Sequence, residues 1–383
     1  MDATYLDYAA TTPLREEVAA AMAPFATATF GNPSSVHRWG RAAHAALEAA
    51  RAETAEALGA KPAEIYFVRG GTESDNLALL GWCEAQAAGA TRPTLVISAV
   101  EHHAVLEAAE SAGNRGAARV VVLPVSPAGE VDLGEVRRVA EEKPALVSVM
   151  WVNNETGMIL PVPDIADVVA AAGGTMHTDV AQTLGKVAVD VRDVPVHLLS
   201  ATGHKLHGPK GTGLLFVREG TRLAPLLHGG GQERGLRPGT QDVAGAVGLA
   251  RALRLAVEER PLEAARLTGL REHLACALLA AVPGLRINAG GARRAPHVLS
   301  VGIPGVKDGA ALLMALDLEG IAVSGGSACL SGGAKRSHVM AALYGAEDAF
   351  AAVRFSFGLA TEPRDIERAV EATARVSARL RTA

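Results

Sequence analysis

The sequence predicts an α/β fold in which helices cover both faces of a mostly parallel sheet, followed by a smaller α+β domain. Between about residues 15 and 250, short apolar runs alternate with helical patterns, as the strands of a buried parallel sheet do. After about residue 250, a long helical stretch precedes mixed strands and helices. Hydrophobic residues make up 49% of the 383 positions and charged residues 20%, which is typical of a well-cored soluble protein.

The elements of the first part follow in order along the chain. The stretches "PLREEVAAAMAPF" and "RAAHAALEAARAETAEALG" predict helices, the second ending at Gly59. "EIYFV" predicts a strand, and a glycine turn then leads into the predicted helix "TESDNLALLGWCEAQAA". The runs "TLVISAV", "ARVVVLPV" and "ALVSVMWV" predict strands, each followed by polar and then helix-like residues. "TMHTDVAQ", "HLLSATGHK" and "GTGLLFVR" complete the series.

The second part begins with "VGLARALRLAVEERPLEAARLTGLREHLACALLAAV", a helical pattern. We expect a break near Pro261, because proline removes a helical hydrogen bond and crowds the preceding turn. The stretches "HVLSVGIPG", "AALLMALDLEGIAVS" and "VRFSFG" then predict the small α+β domain.

Composition and charge argue against several classes of protein. The net charge is −4 and no long basic block occurs, so we expect no nucleic-acid partner. No apolar run approaches the ~18–20 residues of a membrane span, and "MDATYLDYAATT" lacks a signal-peptide pattern, so a cytoplasmic location is expected. Three cysteines without a CxxC motif favour neither a disulfide framework nor a zinc site. Cys83 and Cys276, in helical contexts, are expected to pack as small hydrophobic residues.

Polar residues follow several predicted strands, where open parallel sheets bind their ligands. The Gly70–Gly71–Thr72 turn could hold a phosphate at a helix start, although such glycines often serve geometry alone. Asp179 follows another strand, and Lys205 follows the next. Lys205 alone would be interpreted as a solvated loop charge. Together, a phosphate cup, an aspartate and a lysine form the minimal set for pyridoxal phosphate, which binds lysine as a Schiff base and needs a protonated pyridine nitrogen.

The stretch "SGGSACLSGG" surrounds Cys329 with four glycines. Because glycine is costly to order, a thiol that only packs would lie better in a helix or a strand. This placement predicts a sulfur that is exposed and moves.

A series of motifs runs from near the first residue to about residue 358: "YLDYAATTP", "GNPSSVHRWGR", "GGTESDNLA", "EHHAV", "VNNETG", "HTDVAQ", "SATGHKLHGPKGTG", "HGGGQERGLRPGT", "SGGSAC" and "VRFSFG". They carry, in family order, a resemblance to the cysteine desulfurases of the NifS/IscS type, within the class V, fold-type I pyridoxal-phosphate enzymes. This resemblance implies a large cofactor domain over residues 15–255, with a mostly parallel seven-stranded sheet. Residues 1–14 and 256–383 would form the small domain that carries the cysteine loop.

The resemblance also implies the roles of the cofactor residues. Lys205 would hold pyridoxal phosphate as a Schiff base, Asp179 would pair with its pyridinium nitrogen, and His102 would stack on the ring and shuttle protons. Gln182 and Asn154 would bind near the phenolic oxygen. The implied phosphate contacts are Gly71, Thr72, Thr202 and His204, with Thr240 reaching in from the other subunit of a homodimer.

The implied reaction removes sulfur from L-cysteine. Arg354, with Asn154, would bind the substrate, since guanidinium has paired donors for a carboxylate. The Cys329 thiolate would take the sulfur as a persulfide, leave L-alanine, and pass the atom to an acceptor such as an iron–sulfur scaffold or a thiolation enzyme. No resident metal is implied, although the persulfide could transiently hold an iron–sulfur cluster. The alternatives are a selenocysteine lyase, another class V lyase or aminotransferase, or a non-catalytic sulfur carrier.

The sequence departs from the family pattern at four positions. Arg69 replaces a small hydroxyl residue and could either strengthen phosphate binding or point away from it. Lys335 and Arg336 stand in the cysteine loop, which lacks its usual proline, and they bear on the choice of acceptor. Leu359 replaces a common arginine and bears on surface contacts.

Overall fold

The computed structural model describes residues 3–87, 89, 91–306, 308–325, 337–346 and 348–381. The strands in these ranges are β1 (Thr4–Tyr5), β2 (Ile65–Val68), β3 (Thr94–Ser98), β4 (Arg119–Leu123), β5 (Ala145–Ser148), β6 (Thr175–Asp179), β7 (Leu198–Thr202), β8 (Gly213–Val217), β9 (Arg286–Ile287), β10 (Val298–Pro304), β11 (Ile321–Ala322) and β12 (Phe350–Ser356). The α-helices are α1 (Glu16–Thr27), α2 (Arg38–Leu58), α3 (Gly71–Gln86), α4 (His103–Asn114), α5 (Leu133–Ala140), α6 (Val162–Ala172), α7 (Val243–Ala281), α8 (Gly309–Leu318), α9 (His338–Tyr344) and α10 (Pro363–Arg381).

A seven-stranded sheet in the order β2-β8-β7-β6-β5-β3-β4 organises the first part. All its neighbouring pairs are parallel except those that β8 makes with β7 and β2. Every residue of β3, β5 and β7 is buried, as expected for strands covered on both faces, whereas the edge strand β4 is partly exposed. The predicted mostly parallel sheet is confirmed, and its parallel strands end at one common edge.

A smaller antiparallel sheet, in the order β12-β10-β9, follows in the second part. Strands β10 and β12 pair over their whole lengths, with Ser300 opposite Arg354. One core beside this sheet joins Leu6 with residues from Leu267 to Val376, while Leu253 belongs to the core of the large sheet. The expected domain boundaries, at residues 14–15 and 255–256, stay a prediction.

The helix α7 runs unbroken from Val243 to Ala281 and contains Pro261, so the predicted break at this proline is wrong. Proline removes one hydrogen bond, but residues on both sides are anchored, Leu253 in one core and Leu267 in the other. Packing of the helix therefore outweighs the local cost of the proline.

Cys83 and Cys276 both lie in helices but differ in exposure. Cys83 in α3 is buried, as predicted, whereas Cys276 in α7 is exposed and that prediction is wrong, because it lies on the outer face of the helix. Among the described residues, no helix combines the length and the apolar character needed to cross a membrane.

Candidate active site

Lys205 lies just beyond the carboxyl end of β7, in a single 3₁₀ turn formed by Gly203–Lys205. Its Nζ atom donates to the carbonyl oxygens of Ala9 and Ala10, the latter at 2.6 Å. The segment after β1 is fixed there because Thr12 donates from both its amide and its hydroxyl to the carbonyl of His204. The amine is thereby held at the edge of the sheet, between β7 and the N-terminal segment.

Asp179 is the last residue of β6, the strand beside β7. Its Oδ1 atom accepts a 2.7 Å hydrogen bond from the amide of Ala181. Burial raises the pKa of Asp179, while that hydrogen bond and the positive charge of Lys205 act in the opposite direction. A second carboxyl, Asp75, is buried nearby, and burial together with the charge of Asp179 raises its pKa well above the usual value. We therefore take Asp75 as the neutral member of the pair and Asp179 as the ionised one.

Gln182 follows β6 and is buried against the lysine site. Its Nε2 atom donates to the carbonyl of Ala9 at 2.8 Å, the same oxygen that accepts from Lys205. Its Oε1 atom lies 3.0 Å from Nε2 of His297, a residue just before β10. Both ends of the amide are therefore held.

His102 precedes α4, and its Nδ1 atom accepts a 3.1 Å hydrogen bond from the amide of Ala104. Burial lowers the pKa of His102 to about 4, helped by the positive charge of Lys205. The ring is therefore neutral at pH 7. Because Nδ1 is the acceptor, the ring proton is on Nε2.

The predicted phosphate cup lies between β2 and α3. Gly70 has φ of 120°, a conformation that favours glycine, and α3 begins at Gly71 with first-turn amides that have no partner inside the helix. A Cβ atom added at Gly71 would lie 3.7 Å from Cβ of Thr202, so the two predicted phosphate contacts are neighbours. Thr72 occupies the exposed first turn of α3.

Two other residues near the cup differ in their orientation. His204 lies 3.1 Å, through Nδ1, from the hydroxyl of Thr11, and burial lowers its pKa to about 4. Arg69 is 53% exposed and pairs with Asp242 at 3.1 Å, at the start of α7. Of the two possibilities for Arg69, the structure therefore favours the one in which it points away from the cup.

Arg354 is buried in the middle of β12. Its Nη2 atom lies 2.7 Å from Oδ1 of Asp7, and its Nη1 atom donates to the carbonyl of Asn154 at 2.8 Å. Within the described ranges, four buried polar atoms around this arginine have no hydrogen-bond partner: Nε of Arg354, Oδ1 of Asn154, Oε1 of Glu155 and Oγ of Ser324. Such a cluster of unsatisfied groups is typical of a place where a polar ligand binds.

Cys329, Lys335 and Arg336 lie outside the described residues, so their predicted roles stay predictions. The described neighbours of this segment contact the site. Ser324 exchanges two backbone hydrogen bonds with Arg354, and the hydroxyl of Ser337 donates to Oε2 of Glu155. Both flanks are therefore attached beside Asn154.

Two further predicted positions, Thr240 and Leu359, do not join this cluster through a side-chain hydrogen bond. Thr240 lies in an exposed loop, after a turn that a buried ion pair between Arg51 and Glu233 holds at 2.8 Å. Leu359 lines a cavity behind Lys205. Over the described part of the chain, no group of three or more His, Cys, Asp or Glu side chains could hold a metal ion.

Sequence reasoning missed several partners of the site residues. It did not identify Asp7 as the partner of Arg354, nor His297 as the partner of Gln182. Asp7 lies inside "YLDYAATTP", so that motif carried a signal. His297 precedes an ordinary apolar strand and has no such signal.

Comparison with known proteins gives one family over nearly the whole chain. Residues 4–369 match the model of the family "Aminotransferase class-V". The chain is 41% identical over 379 residues to the cysteine desulfurase IscS of Dictyoglomus turgidum, covering 99% of this chain and 95% of that protein.

Solved structures agree with this assignment. A NifS-like protein superposes with a TM-score of 0.91 at 34% identity, covering 99% of this chain and 100% of the other. SspA in complex with cysteine gives a TM-score of 0.80 at 32% identity, covering 92% and 98% of the two chains. The predicted fold-type I architecture, that of a family of pyridoxal-phosphate enzymes, is confirmed. The chain belongs to the class-V aminotransferase family.

Proposed function

We propose that this protein is a pyridoxal-phosphate-dependent cysteine desulfurase, which converts L-cysteine into L-alanine and a persulfide on Cys329. The observation that carries the proposal is the meeting of Lys205, Asp179 and His102 at one edge of the sheet, next to the buried Arg354. The relatives named cysteine desulfurase support the same activity.

The residues present fit pyridoxal phosphate. The amine of Lys205 is the group that binds the cofactor covalently, and the ionised Asp179 suits a protonated ring nitrogen. Gly70 and Gly71 leave room beside Thr202 for a phosphate. The first-turn amides of α3 lie at the same place, the N-terminal end of the helix, and suit an anion. When bound, the cofactor supplies an electron sink that weakens bonds in the attached amino acid.

Arg354 would bind the carboxylate of the substrate. Asp7 and the carbonyl of Asn154 use two of its five N–H groups, and three remain, including the unpartnered Nε. Asp7 holds the guanidinium group of Arg354 in place and compensates its charge in the buried site before the substrate binds. The unpartnered Oδ1 atom of Asn154 could accept from the amino group of the substrate.

His102 would move a proton beside Lys205. Because its Nδ1 atom accepts from Ala104, the neutral ring can donate only through Nε2. Its lowered pKa keeps it neutral over the whole physiological range, so it starts the reaction as a hydrogen-bond donor.

Cys329 would act as the nucleophile. Its thiolate attacks the sulfur of the bound cysteine, an S–S bond forms, the C–S bond breaks, and the β-carbon takes up a proton to become the methyl group of alanine. The attachment of Ser324 to Arg354 and of Ser337 to Glu155 supports a cysteine segment that starts and ends beside the substrate. The persulfide would then pass to an acceptor such as an iron–sulfur scaffold protein.

We further propose a homodimer in which Thr240 of each chain completes the phosphate site of the other. The exposed position of Thr240 supports this role, since its side chain is available to a second subunit. Phe30 and Val36, which are 68% and 88% exposed, supply apolar surface for such an interface.

The test is to load the purified protein with pyridoxal phosphate, add L-cysteine and a thiol reductant, and measure sulfide and alanine. We expect both products in equal amounts, and no sulfide from Cys329→Ala. Cys276→Ala is the matched control, because this exposed cysteine lies in α7, and it should retain full turnover. Full sulfide release by Cys329→Ala would overturn the nucleophile assignment. Parallel assays with selenocysteine and with an amino-acid/2-oxo-acid pair separate the alternative activities.

A further inference from the structure

His297 is a buried histidine whose side chain makes one hydrogen bond to a described residue, and this bond joins it to the lysine site. It is 2% exposed, and its Nε2 atom lies 3.0 Å from Oε1 of Gln182. His297, Gln182 and Lys205 line the same pocket. The contact therefore lies directly behind the lysine amine.

The chemistry of the contact fixes the proton on His297. The carbonyl of Ala9 can only accept, so the Gln182 atom at 2.8 Å from it must be the amide nitrogen. The other end of the amide is then the oxygen, which also can only accept. Nε2 of His297 must therefore carry a hydrogen and donate it. In the neutral ring Nδ1 then carries none, and it has no hydrogen-bond partner within the described chain.

The surroundings keep His297 in this neutral form. Burial lowers its pKa well below the usual value, and the positive charges of Lys186, Arg354, Lys205 and Arg271 lower it further. A neutral ring with one donor has a single way to bond to Gln182.

We propose that His297 is a positioning residue that fixes the side-chain amide of Gln182 with its nitrogen toward Lys205 and toward the phenolic oxygen of the cofactor. The inference rests on the proposed function. Gln182 has a second N–H on Nε2 besides the one given to Ala9, and this is the donor available to the cofactor. A donor on Oε1 polarises the amide and strengthens the donation from its nitrogen. His297 thereby stabilises negative charge on the phenolic oxygen without touching the cofactor.

The test measures the pKa of the absorption band of the lysine-bound cofactor by spectrophotometric pH titration, in the absence of substrate. His297→Leu removes the donor, and His297→Gln keeps an N–H close to the position of Nε2. A weaker donor to the phenolic oxygen favours the protonated cofactor linkage. We expect His297→Leu to raise the pKa by roughly half a unit to one unit, equivalent to one weakened hydrogen bond. His297→Gln should restore at least half of the difference.

A matched control separates positioning from simple loss of a histidine. His197→Leu removes a histidine at the opposite end of β7 from Lys205, one whose Nδ1 atom accepts from the amide of Met176, and it should leave the pKa unchanged. An unchanged pKa in His297→Leu, or equal shifts in His297→Leu and His297→Gln, would overturn the inference while leaving the proposed function intact. A wild-type protein that forms no lysine-bound cofactor band would instead overturn the proposed function. Thermal melting of each cofactor-free variant confirms that it is folded.

Discussion

In the seven-stranded sheet, Asp179, Thr202 and Lys205 lie at or just beyond the carboxyl ends of neighbouring parallel strands, whereas in the three-stranded sheet Arg354 lies in the middle of β12. The first arrangement leaves each side chain at the rim of the sheet with its backbone fixed by the strand behind it. The second buries a cation inside an antiparallel pair, where Asp7 compensates it.

The difference indicates that the two regions bind different molecules. Residues at parallel strand ends converge on one point because the strands share a direction, and this suits a cofactor that must be gripped at several atoms. Arg354 instead reaches across to the N-terminal segment and to Asn154, so it connects the small sheet with the rim of the large one. We expect losses in the first region to affect the cofactor and losses in the second to affect the substrate.

The largest expected effect is that of Lys205→Ala. Without this amine the cofactor has no covalent partner, so cysteine-dependent sulfide release should fall to background and the absorption band of lysine-bound cofactor should be absent. Lys210→Ala, a change of an exposed lysine in the same loop, is the control and should resemble the wild type. Retention of the band in Lys205→Ala would mean that another amine holds the cofactor.

Asp179→Asn comes next. Removal of the negative charge beside the ring nitrogen should lower kcat by about 10²–10³-fold, the cost usually seen when one preorganised electrostatic contact is lost. Asp75→Asn is an informative comparison, because this buried carboxyl has a raised pKa and is taken as neutral already. Its replacement by a neutral amide should leave turnover close to that of the wild type. Equal losses in the two variants would contradict the assignment of charge within the pair.

The same contrast explains what could be predicted from the sequence. Asp179 ends β6, Gln182 follows it and Lys205 follows β7, so their gathering at one edge follows from the order and shared direction of these strands. Nothing in "VRFSFG" itself indicates that Arg354 is buried; its role came from the family resemblance, and its partner Asp7 lies 347 residues away in sequence. Contacts of that kind depend on how the chain returns on itself, which local patterns do not contain.

Pro261 illustrates the opposite error. The local rule predicts a broken helix, but two separate cores hold α7 on either side of the proline. Local preferences decide where packing is weak, and they are overruled where packing is strong.

Arg354→Lys should lower kcat/KM for L-cysteine by about 10–100-fold, mainly through KM, since lysine cannot reproduce the paired donors of guanidinium to a carboxylate. The affinity for pyridoxal phosphate should change little, because the arginine belongs to the substrate side of the site. Asp7→Asn keeps the arginine but removes its carboxylate partner, and it should cause a smaller loss of the same kind. Steady-state kinetics and cofactor titration measure the two effects. Weaker binding of pyridoxal phosphate together with an unchanged KM would contradict the assignment of the cofactor to the large sheet and of the substrate to the small one.

The smallest expected effect is on the pH dependence of stability and concerns a histidine inside the large sheet. His177 in β6 is fully buried between the hydroxyls of Ser148 and Ser200, at 2.8 and 3.0 Å, and burial lowers its pKa to about 3. Above pH 6.5, the usual value, neither the folded nor the unfolded chain protonates it, so it adds no pH dependence there. As the pH falls below 6.5, the unfolded chain takes up a proton that the folded chain refuses, and stability is lost until about pH 3.

Between pH 7.5 and 5.5 this single histidine should therefore reduce the free energy of unfolding by about 1.4 kcal/mol, which is one pKa unit of linkage. His177→Gln retains groups that can bond to Ser148 and Ser200, but its amide cannot titrate. Between the same two pH values, the free energy of unfolding of this variant should therefore fall by about 1.4 kcal/mol less than that of the wild type. Urea unfolding of both cofactor-free proteins at the two pH values measures the difference. Contributions from titrating groups remote from His177 cancel in it, and the close carboxyl is Asp75, whose Oδ1 atom lies 3.7 Å from Nε2 of His177. Parallel pH dependence of the two proteins would mean that His177 becomes protonated within the fold as readily as outside it.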